Sequence, residues 1–262
     1  MVAGAQQMGT RAGPEAARGQ VAEVFRSFQG EGLLLGRRQV FVRLGGCTVG
    51  CRYCDTGWAL EHTSSVAVPG ESGVRLSNPL DVAQVLDLVE RVDPGGRAPV
   101  SLTGGEPLEQ PEFAEALVQA WAQASAPREV MLETSGLQQA ALARLAPQVR
   151  WIACDLKLPT ATGRAAALDE HAVVLASGAL GDTESFFKLI VDGDTPDDEV
   201  RRAGELLAAH APGSTVYLQP VTPLGGSPAL PRERLDGLAD GLEAQGLQVR
   251  VVPQVHKQLG VR

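Results

Sequence analysis

Short apolar runs alternate along the chain with stretches of helical periodicity. Six runs have the length and composition of buried strands: residues 98–105, 129–136, 149–157, 185–192, 215–222 and 247–256. Four other stretches place apolar residues on one helical face: residues 81–92, 111–124, 194–211 and 232–245. Strands that alternate with helices predict βα units arranged around a parallel sheet.

The first part of the chain follows a different pattern. Residues 1–20 are rich in Ala, Gly and Gln and predict a flexible tail, so that residues 21–262 form one domain. Residues 21–32 predict a strand followed by a glycine-rich turn, and residues 39–46 form a second β-rich run. Residues 159–184 are mostly loop-like, with room for one short helix. A length of 262 residues with 44% hydrophobic residues suits one large core.

Charge and hydropathy exclude several classes of partner. The formal net charge is -8, so the chain has no overall positive field for nucleic acid or an anionic membrane surface. No apolar run approaches the roughly 18 residues that a membrane span needs. The N-terminus has no apolar core of the secretory kind. We therefore expect a cytoplasmic protein without nucleic-acid or membrane partners, which binds any anionic substrate through local groups.

Four fragments follow predicted strands and carry polar residues. They are "TGGEP" (103–107), "ETSG" (133–136), "DLK" (155–157) and "QPVT" (219–222). In parallel α/β sheets, ligands bind where strands end and loops begin. We expect these fragments to contribute to one shared site.

Three of the four cysteines lie in one loop, "GGCTVGCRYCDT", at positions 47, 51 and 54. In a reducing compartment, clustered cysteines bind metals or act in catalysis more often than they form disulfides. Thiolates are soft ligands for iron–sulfur clusters, zinc and copper(I). The glycines of the loop allow the backbone to wrap around a cluster.

The set of ligands stops at three. A structural zinc site would need a fourth Cys or His at a matching spacing, and His62 is merely the nearest histidine. Cys154 lies in an apolar strand, where a small buried thiol is the usual occupant. A cluster with one iron free of protein ligands can bind a small molecule there. A zinc-binding scaffold without catalysis remains the alternative.

The spacing C-x3-C-x-aromatic-C, with Tyr53 before the last cysteine, resembles the signature of radical S-adenosylmethionine enzymes, and "TGGEP" resembles their methionine-binding motif. Within that superfamily the chain resembles the 7-carboxy-7-deazaguanine synthase family. The resemblance is carried by "EVFRSFQGEG", "FVRLGGCTVGCRYCDT", "TGGEP", "ETSG", "QPVT" and "VHKQLGVR".

The resemblance implies an α/β fold, an abbreviated and partly open (β/α) barrel of the radical SAM type with parallel strands, and a homodimer. It implies conversion of 6-carboxy-5,6,7,8-tetrahydropterin to 7-carboxy-7-deazaguanine with loss of ammonia, in queuosine or deazapurine biosynthesis. The cofactors would be a [4Fe–4S] cluster, S-adenosylmethionine and Mg²⁺, with flavodoxin or ferredoxin as an electron donor. A radical activase acting on a protein partner is the nearest rival, and a pterin-sized closed pocket would argue against it.

The resemblance also implies a role for each matching residue. The cluster would be bound by Cys47, Cys51 and Cys54, and Mg²⁺ by Thr56. Cofactor contacts would be made by Tyr53, Cys54, Asp55, Gly105, Glu106, Ser135, Gln219, Pro220, Val221 and Thr222. Substrate contacts would be made by Phe28, Gln29, Gly30, Glu31, Arg43 and Thr103. His256, Lys257 and Arg262 lie where the family's C-terminus closes over the substrate.

Overall fold

The computed structural model describes residues 17–223 and 230–261. Its strands are, in chain order, β1 (Arg18–Gly19), β2 (Val21–Phe28), β3 (Arg38–Leu44), β4 (Ser65–Ala67), β5 (Arg75–Ser77), β6 (Leu80–Asp81), β7 (Val100–Gly104), β8 (Val130–Thr134), β9 (Trp151–Asp155), β10 (Glu184–Val191), β11 (Thr215–Pro220) and β12 (Gln248–Val251). Its helices are α1 (Val82–Val92), α2 (Pro111–Gln123), α3 (Gln139–Leu145), α4 (Pro159–Thr162), α5 (Ala167–Ala176), α6 (Asp197–His210), α7 (Arg232–Glu243) and α8 (Val255–Leu259).

An eight-stranded sheet in the order β12-β11-β10-β9-β8-β7-β3-β2 forms the frame of the molecule. All neighbours in it are parallel except β2, which runs antiparallel to β3. Since β2 and β12 are its two edges and do not pair with each other, the sheet does not close. This architecture confirms the predicted α/β fold with an open barrel.

The two faces of each central strand bury different sets of side chains. In β9, Ile152 and Cys154 belong to the large hydrophobic core. The alternate residues Trp151 and Ala153 belong to a smaller apolar cluster, and Asp155 lines the main cavity. This period of two is the strand pattern, with one face in each environment.

β10 repeats the alternation. Phe187 and Leu189 lie in the large core. Phe186 joins the smaller cluster, and Lys188 and Ile190 line the cavity. The inner face of the sheet is therefore apolar near the start of these strands and polar toward their carboxyl ends, which is where a site can form.

Several predicted boundaries need correction. Residues 159–184 are mostly helical rather than loop-like, since they contain α4 and the ten-residue α5. Of the predicted tail, Arg18 and Gly19 pair with Asp81 and Leu80 as a strand, and residues 1–16 lie outside the described residues. The run 247–256 is a strand only over β12 and ends in α8.

Helix α3 was not expected from the sequence, and neither were strands β4 and β5, which form a hairpin. Among the described residues, the helices are too short or too polar to cross a lipid bilayer.

Candidate active site

The main cavity opens at the carboxyl ends of the parallel strands. Its wall includes the cysteine loop and the turn after β2. The strand-end fragments that the sequence placed together meet here in part. Thr103, Gly105, Glu106, Ser135 and Asp155 all line the cavity. Three of the four fragments therefore meet at one cavity, as the sequence predicted for their position, and "QPVT" does not line it.

The cysteine loop is held in place by backbone hydrogen bonds at its base. Gly46 N–H donates to the Ala59 carbonyl at 2.9 Å, and Cys47 N–H donates to the Leu60 carbonyl at 3.2 Å. Glu106 N–H donates to the Gly46 carbonyl at 2.9 Å, which attaches the end of β7 to the loop. Cys47, Cys51 and Cys54 are free thiols of intermediate exposure that line the cavity.

Gly105 allows β7 and the cysteine loop to approach closely. A Cβ atom at this position would lie 1.9 Å from the Gly46 carbonyl oxygen and 3.0 Å from Cys47 Cβ. Contacts of that length do not occur between real atoms, so only glycine fits between the loop and the strand.

The thiols fit a cluster better than a single ion. Burial raises the pKa of Cys47 to about 11, so binding a cationic cluster would have to displace the proton. Within residues 17–223 and 230–261, no three Cys, His, Asp or Glu side chains converge to hold one metal ion. In a cubane each cysteine binds a different iron, so such convergence is not required.

Cys154 does not complete the set. It is 2% exposed in the large core, and its Sγ lies 3.8 Å from the Ser135 carbonyl oxygen. Burial raises the pKa of this thiol to about 12. The prediction that Cys154 is a buried core residue is confirmed.

Glu106 links the ends of β7 and β8. Its Oε2 accepts hydrogen bonds from Ser135 N–H at 2.8 Å and Ser135 Oγ at 2.6 Å. Its Oε1 accepts from Thr134 Oγ1 at 2.5 Å and from Leu108 N–H at 3.0 Å. This carboxylate is 2% exposed. It therefore already holds two strand ends together, and any contact with a cofactor would be additional.

The turn after β2 carries a second hydrogen-bonded group. Gln29 Nε2 donates to Glu133 Oε1 and to Gln39 Oε1, both at 3.0 Å. Gln29 Oε1 accepts from Glu31 N–H at 3.1 Å, which fixes the turn. Ser101 Oγ donates to Glu133 at 2.5 Å. A polar layer thus extends under the cavity floor from β3 to β8.

Glu31 and Lys188 form a buried ion pair in the cavity wall. Lys188 Nζ lies 2.8 Å from Glu31 Oε2 and 3.9 Å from Asp155 Oδ2, and the Lys188 and Glu31 side chains are 8% and 13% exposed. Burial alone would lower the pKa of Lys188, but the charge of Glu31 outweighs it and raises that pKa. Burial would likewise raise the pKa of Glu31, and the charge of Lys188 lowers it. Both groups are therefore charged at neutral pH.

Asp155 and Lys157 form a second charged pair beside the cysteine loop. Lys157 Nζ lies 2.7 Å from Asp155 Oδ2 and 5.5 Å from the centroid of the Tyr53 ring. Burial acts to lower the pKa of Lys157, yet the Asp155 charge raises it well above the usual value. In the part of the chain that the structure describes, Asp155 Oδ1 is buried without a hydrogen-bond partner. That oxygen is available to a ligand in the cavity.

The other predicted substrate and metal residues also lie at the cavity. Phe28, Gly30, Arg43, Asp55 and Thr56 line it. Arg43 Nε is paired with Glu23 Oε1 at 3.0 Å, so its guanidinium is already held on one side. Thr56 Oγ1 lies 3.7 Å from Cys54 Sγ.

The predicted cofactor residues after β11 are placed differently. Gln219, Pro220, Val221 and Thr222 do not line the cavity. Gln219 is fully buried, and among the described residues its side-chain amide has no hydrogen-bond partner. Thr222 forms two hydrogen bonds with the cavity-lining residue Gln254. Residues 224–229, which follow, lie outside the described residues.

Two polar cavity residues, Lys188 and Gln254, were not predicted from the sequence. Lys188 sits inside the apolar run "SFFKLIVD", where a lysine on a buried strand signals a paired or functional charge. Gln254 follows Pro253 in the C-terminal segment, and no such pattern marks it.

The C-terminal helix α8 closes one side of the cavity. Val255 N–H donates to the Gly30 carbonyl at 3.1 Å. His256 Nε2 and Lys257 Nζ lie 3.7 and 3.4 Å from Asp55 Oδ2. Burial would raise the pKa of Asp55, but the nearby His256 and Lys257 side chains lower it. Arg262 lies outside the described residues.

Comparison with known proteins decides the family. The radical SAM superfamily matches residues 41–166. A 7-carboxy-7-deazaguanine synthase from Geobacter sulfurreducens is 34% identical over 247 residues, which cover 92% of this chain and 97% of the relative. One from Archaeoglobus fulgidus is 31% identical over 254 residues, covering 94% and 100%. The chain belongs to the 7-carboxy-7-deazaguanine synthase family.

Solved structures agree on the fold of this family member. The crystal structure of QueE from Escherichia coli aligns with a TM-score of 0.57 at 22% identity, covering 91% of this chain and 95% of that chain. A radical SAM methyltransferase from Sphaerobacter thermophilus aligns with a TM-score of 0.58 at 21% identity, covering 83% and 70%. A radical SAM enzyme of the 7-carboxy-7-deazaguanine synthase family uses a [4Fe–4S] cluster and S-adenosylmethionine, and the three free thiols at the cavity fit that requirement.

Proposed function

We propose that this chain converts 6-carboxy-5,6,7,8-tetrahydropterin to 7-carboxy-7-deazaguanine with release of ammonia. One observation carries the proposal: a loop with three free thiols lines a cavity that is also lined by charged and amide side chains from the turn after β2. A carboxylated heterocycle with alternating donors and acceptors needs such a wall, because each buried polar group must find a partner.

Cys47, Cys51 and Cys54 would hold the cluster. When bound there, the cluster together with S-adenosylmethionine would supply radical chemistry at the substrate. The protein contributes binding, orientation and exclusion of side reactions. Reacting atoms must be held at about 3–3.5 Å for such a step, which a walled cavity favours.

The substrate would be read by the turn after β2 and by β3 and β7. Gln29 is fixed by Gln39 and Glu133, so the backbone of Gly30 and the carboxylate of Glu31 can present a defined pattern to the pterin edge. Arg43, held by Glu23 at 3.0 Å, would donate to the substrate carboxylate. The remaining contacts would come from Phe28 and Thr103.

The cofactor would contact the loop and the strand ends. Tyr53 to Asp55 would touch its adenine, while Gly105 gives its methionine a close approach to the backbone. Glu106 already orders Ser135, so this pair would bind the cofactor as one unit. Gln219 to Thr222 would complete the nucleoside site from behind the cavity wall, where the buried Gln219 amide has no hydrogen-bond partner among the described residues.

Mg²⁺ would bind at Thr56. Magnesium prefers oxygen ligands and keeps several waters, so one hydroxyl and the substrate carboxylate can suffice. Asp55 lies next to Thr56. Burial acts to raise the pKa of Asp55, but His256 and Lys257 outweigh burial and lower this pKa. Asp55 would therefore be an ionised acceptor for the metal's waters.

The cellular context follows from the same assignment. The enzyme would act in the cytoplasm as a homodimer, receive electrons from a flavodoxin or ferredoxin, and supply queuosine or deazapurine biosynthesis. The rival role as an activase of a protein partner is not favoured, because the chain is covered almost end to end by synthases of one family.

An anaerobic assay tests the proposal. The reconstituted protein is incubated with dithionite, S-adenosylmethionine and the tetrahydropterin, with and without Mg²⁺. We expect 7-carboxy-7-deazaguanine and ammonia in equal amounts, with a slower rate when Mg²⁺ is omitted. Absence of the deazaguanine from protein with a full iron complement would reject the proposal.

A further inference from the structure

Gln254 makes side-chain hydrogen bonds to four separate parts of the chain. Its Nε2 donates to Glu31 Oε1 at 3.1 Å and to Asp55 Oδ2 at 3.3 Å. Its Oε1 accepts from Lys257 Nζ at 2.7 Å and from Thr222 N–H at 3.3 Å. The residue is 6% exposed. Every donor and acceptor site of the amide is therefore used in a buried place.

The partners of Gln254 belong to different segments of the chain. Glu31 lies in the turn after β2, and Asp55 follows the last cysteine of the loop. Thr222 follows β11, and its Oγ1 also accepts from Gln254 N–H at 3.4 Å. Lys257 lies in α8. One side chain thus joins four segments: the turn after β2 that contains Glu31 (called the substrate turn below), the cysteine loop, the segment after β11 and the C-terminal helix.

The charges around this position require an amide. Two carboxylates, Glu31 and Asp55, face the Nε2 side, so that side must donate. An ammonium and a backbone N–H face the Oε1 side, so that side must accept. Only a side chain with a donor and an acceptor at one end meets both demands.

Other charged groups act on these partners. Glu31 is paired with Lys188 at 2.8 Å. Asp55 lies 3.7 Å from His256 Nε2, and the Arg43 charge also acts on it. Both carboxylates are therefore already paired with cationic side chains, and a carboxylate at position 254 would place a third acceptor against them in place of the donor they need.

We propose that Gln254 is a positioning residue that fixes the substrate turn relative to the cysteine loop. It acts through Glu31 and Asp55 rather than on the reacting atoms. This role rests on the proposed function. Loss of the Gln254 hydrogen bonds should therefore reduce formation of the deazaguanine more than it reduces cleavage of the cofactor. Without this link, the turn that contains Glu31 would shift relative to the cysteine loop. The cofactor would then still be cleaved, but the pterin would lie too far from it to react.

Two variants and one control test the role. Gln254→Leu removes all four side-chain hydrogen bonds, while Gln254→Glu keeps the shape and replaces the donor by a charge. Gln119→Glu is the matched control, since Gln119 lies on helix α2 and does not line the cavity, and its Nε2 donates to Gln148 Oε1 at 3.1 Å. Gln254→Glu provides the test should the leucine variant fail to fold.

The first readout is the ratio of 5′-deoxyadenosine to 7-carboxy-7-deazaguanine formed anaerobically. We expect both Gln254 variants to raise this ratio about tenfold or more, since small misplacements of reacting groups have effects of that order. The control should keep the wild-type ratio. A purely structural defect lowers both products together, so an unchanged ratio in the Gln254 variants would overturn the proposal.

The second readout does not depend on turnover. Amide hydrogen exchange followed by mass spectrometry reports on the Thr222 and Val255 N–H groups, which lie at the two ends of the link. Both Gln254 variants should speed exchange there by about tenfold, with the strands unchanged. Wild-type protection at these sites in all three variants would also overturn the proposal. If the wild type made no deazaguanine, the proposed function would fail, and this exchange experiment would still decide the link.

Discussion

At the scale of single residues, the four thiols differ in what surrounds them. Three lie on a loop at the cavity, and the fourth faces the large core from β9. Their substitutions should therefore have opposite effects on metal content and on stability.

We expect Cys51→Ala to abolish cluster binding with little loss of folding stability, because Cys51 is partly exposed at the cavity. Iron per chain should fall from about four to near zero after anaerobic reconstitution, with loss of the cluster's visible absorption. Iron and sulfide analysis of the purified protein measures this.

Cys154→Ala is the matched control. It should retain the iron and lower the free energy of unfolding by about 1 kcal/mol, the usual size of a core truncation. Loss of iron in this variant would show that Cys154 is a fourth ligand and would remove the open iron on which the proposed chemistry depends.

The Glu31–Lys188 pair supports a second prediction at this scale. Lys188→Met should lower the free energy of unfolding by about 3–5 kcal/mol, because it leaves a buried carboxylate without its cation. The double variant Lys188→Met with Glu31→Gln should recover most of that loss. Denaturant unfolding of all three proteins measures the coupling. Equal stabilities for the single and the double variant would contradict it.

The sequence predicts the chemistry of single residues where a spacing marks it. The cysteines, Thr103 and Glu106 follow from motifs, and the structure places them at one cavity. Lys188 and Gln254 could not be placed, because the partners that justify them, such as Glu31, are more than a hundred residues away in the chain. Long-range pairing of buried polar groups is invisible to local patterns.

At the scale of elements, α5 contributes a neutral buried imidazole. His171 is 1% exposed, and its Nε2 accepts from Lys157 N–H at 2.8 Å. Burial lowers the pKa of His171 to about 4. The helix thus fixes the backbone at the end of the "DLK" fragment only while His171 is unprotonated.

His171 should make stability depend on pH. Its pKa is lower in the folded state than the roughly 6.5 of the unfolded chain, so the unfolded state takes up the proton first. Its stabilising contribution is complete above pH 6.5 and is lost progressively between about 6.5 and 4. At pH 5.5 the loss should be about 1.4 kcal/mol.

Denaturant unfolding at pH 7.5 and 5.5 measures this loss. His171→Gln keeps an acceptor near the position of Nε2 and cannot titrate, so it should lack that part of the pH dependence. An identical pH dependence in both proteins would exclude His171 as its source.

The contact between β7 and the cysteine loop gives another prediction for elements. Gly105→Ala should lower the free energy of unfolding by about 1–3 kcal/mol, as overpacking does, and should reduce iron retention, because its Cβ would meet the Gly46 carbonyl at 1.9 Å. The control is Gly237→Ala in α7, where a Cβ meets nothing within 4 Å. That change should stabilise by about 0.5–1 kcal/mol. Equal effects of the two substitutions would contradict the close approach.

Elements were predictable where periodicity is strong. Helices α1, α2, α6 and α7 and strands β7 to β11 lie within a few residues of the expected ranges. The sequence leaves room for one short helix in residues 159–184 but cannot place α5, because the apolar residues of this helix do not form one stripe: Val173 is 62% exposed while Leu175 is buried. The hairpin of β4 and β5 is short and polar, so alternation does not reveal it.

At the scale of the whole molecule, the cavity brings distant parts of the chain together. Its wall includes Phe25 in β2 and His256 in α8, which lie near the two ends of the described part of the chain. The sheet itself does not depend on α8, which contains no buried residue. Ligand binding should therefore need the C-terminal segment, while folding of the sheet should not.

Removal of residues 254–262 separates these two properties. The free energy of unfolding without ligand should fall by only about 1–2 kcal/mol, since few buried groups are lost. Saturation with the tetrahydropterin at about a hundredfold excess over its dissociation constant should stabilise the full chain by about 2.7 kcal/mol. The shortened chain should show almost none of this stabilisation, because Gln254, His256 and Lys257 no longer hold the turn and the loop.

Anaerobic thermal unfolding with and without the pterin measures the difference. Leu259→Ala provides a control, since its side chain is 63% exposed at the end of α8 and should leave both stability and ligand response unchanged. A shortened chain that kept the full ligand response would show that the strand ends alone bind the pterin. One that failed to fold would show that α8 is part of the sheet's support. Loss of the ligand response with a folded sheet would establish that the C-terminal segment completes the site without building the fold.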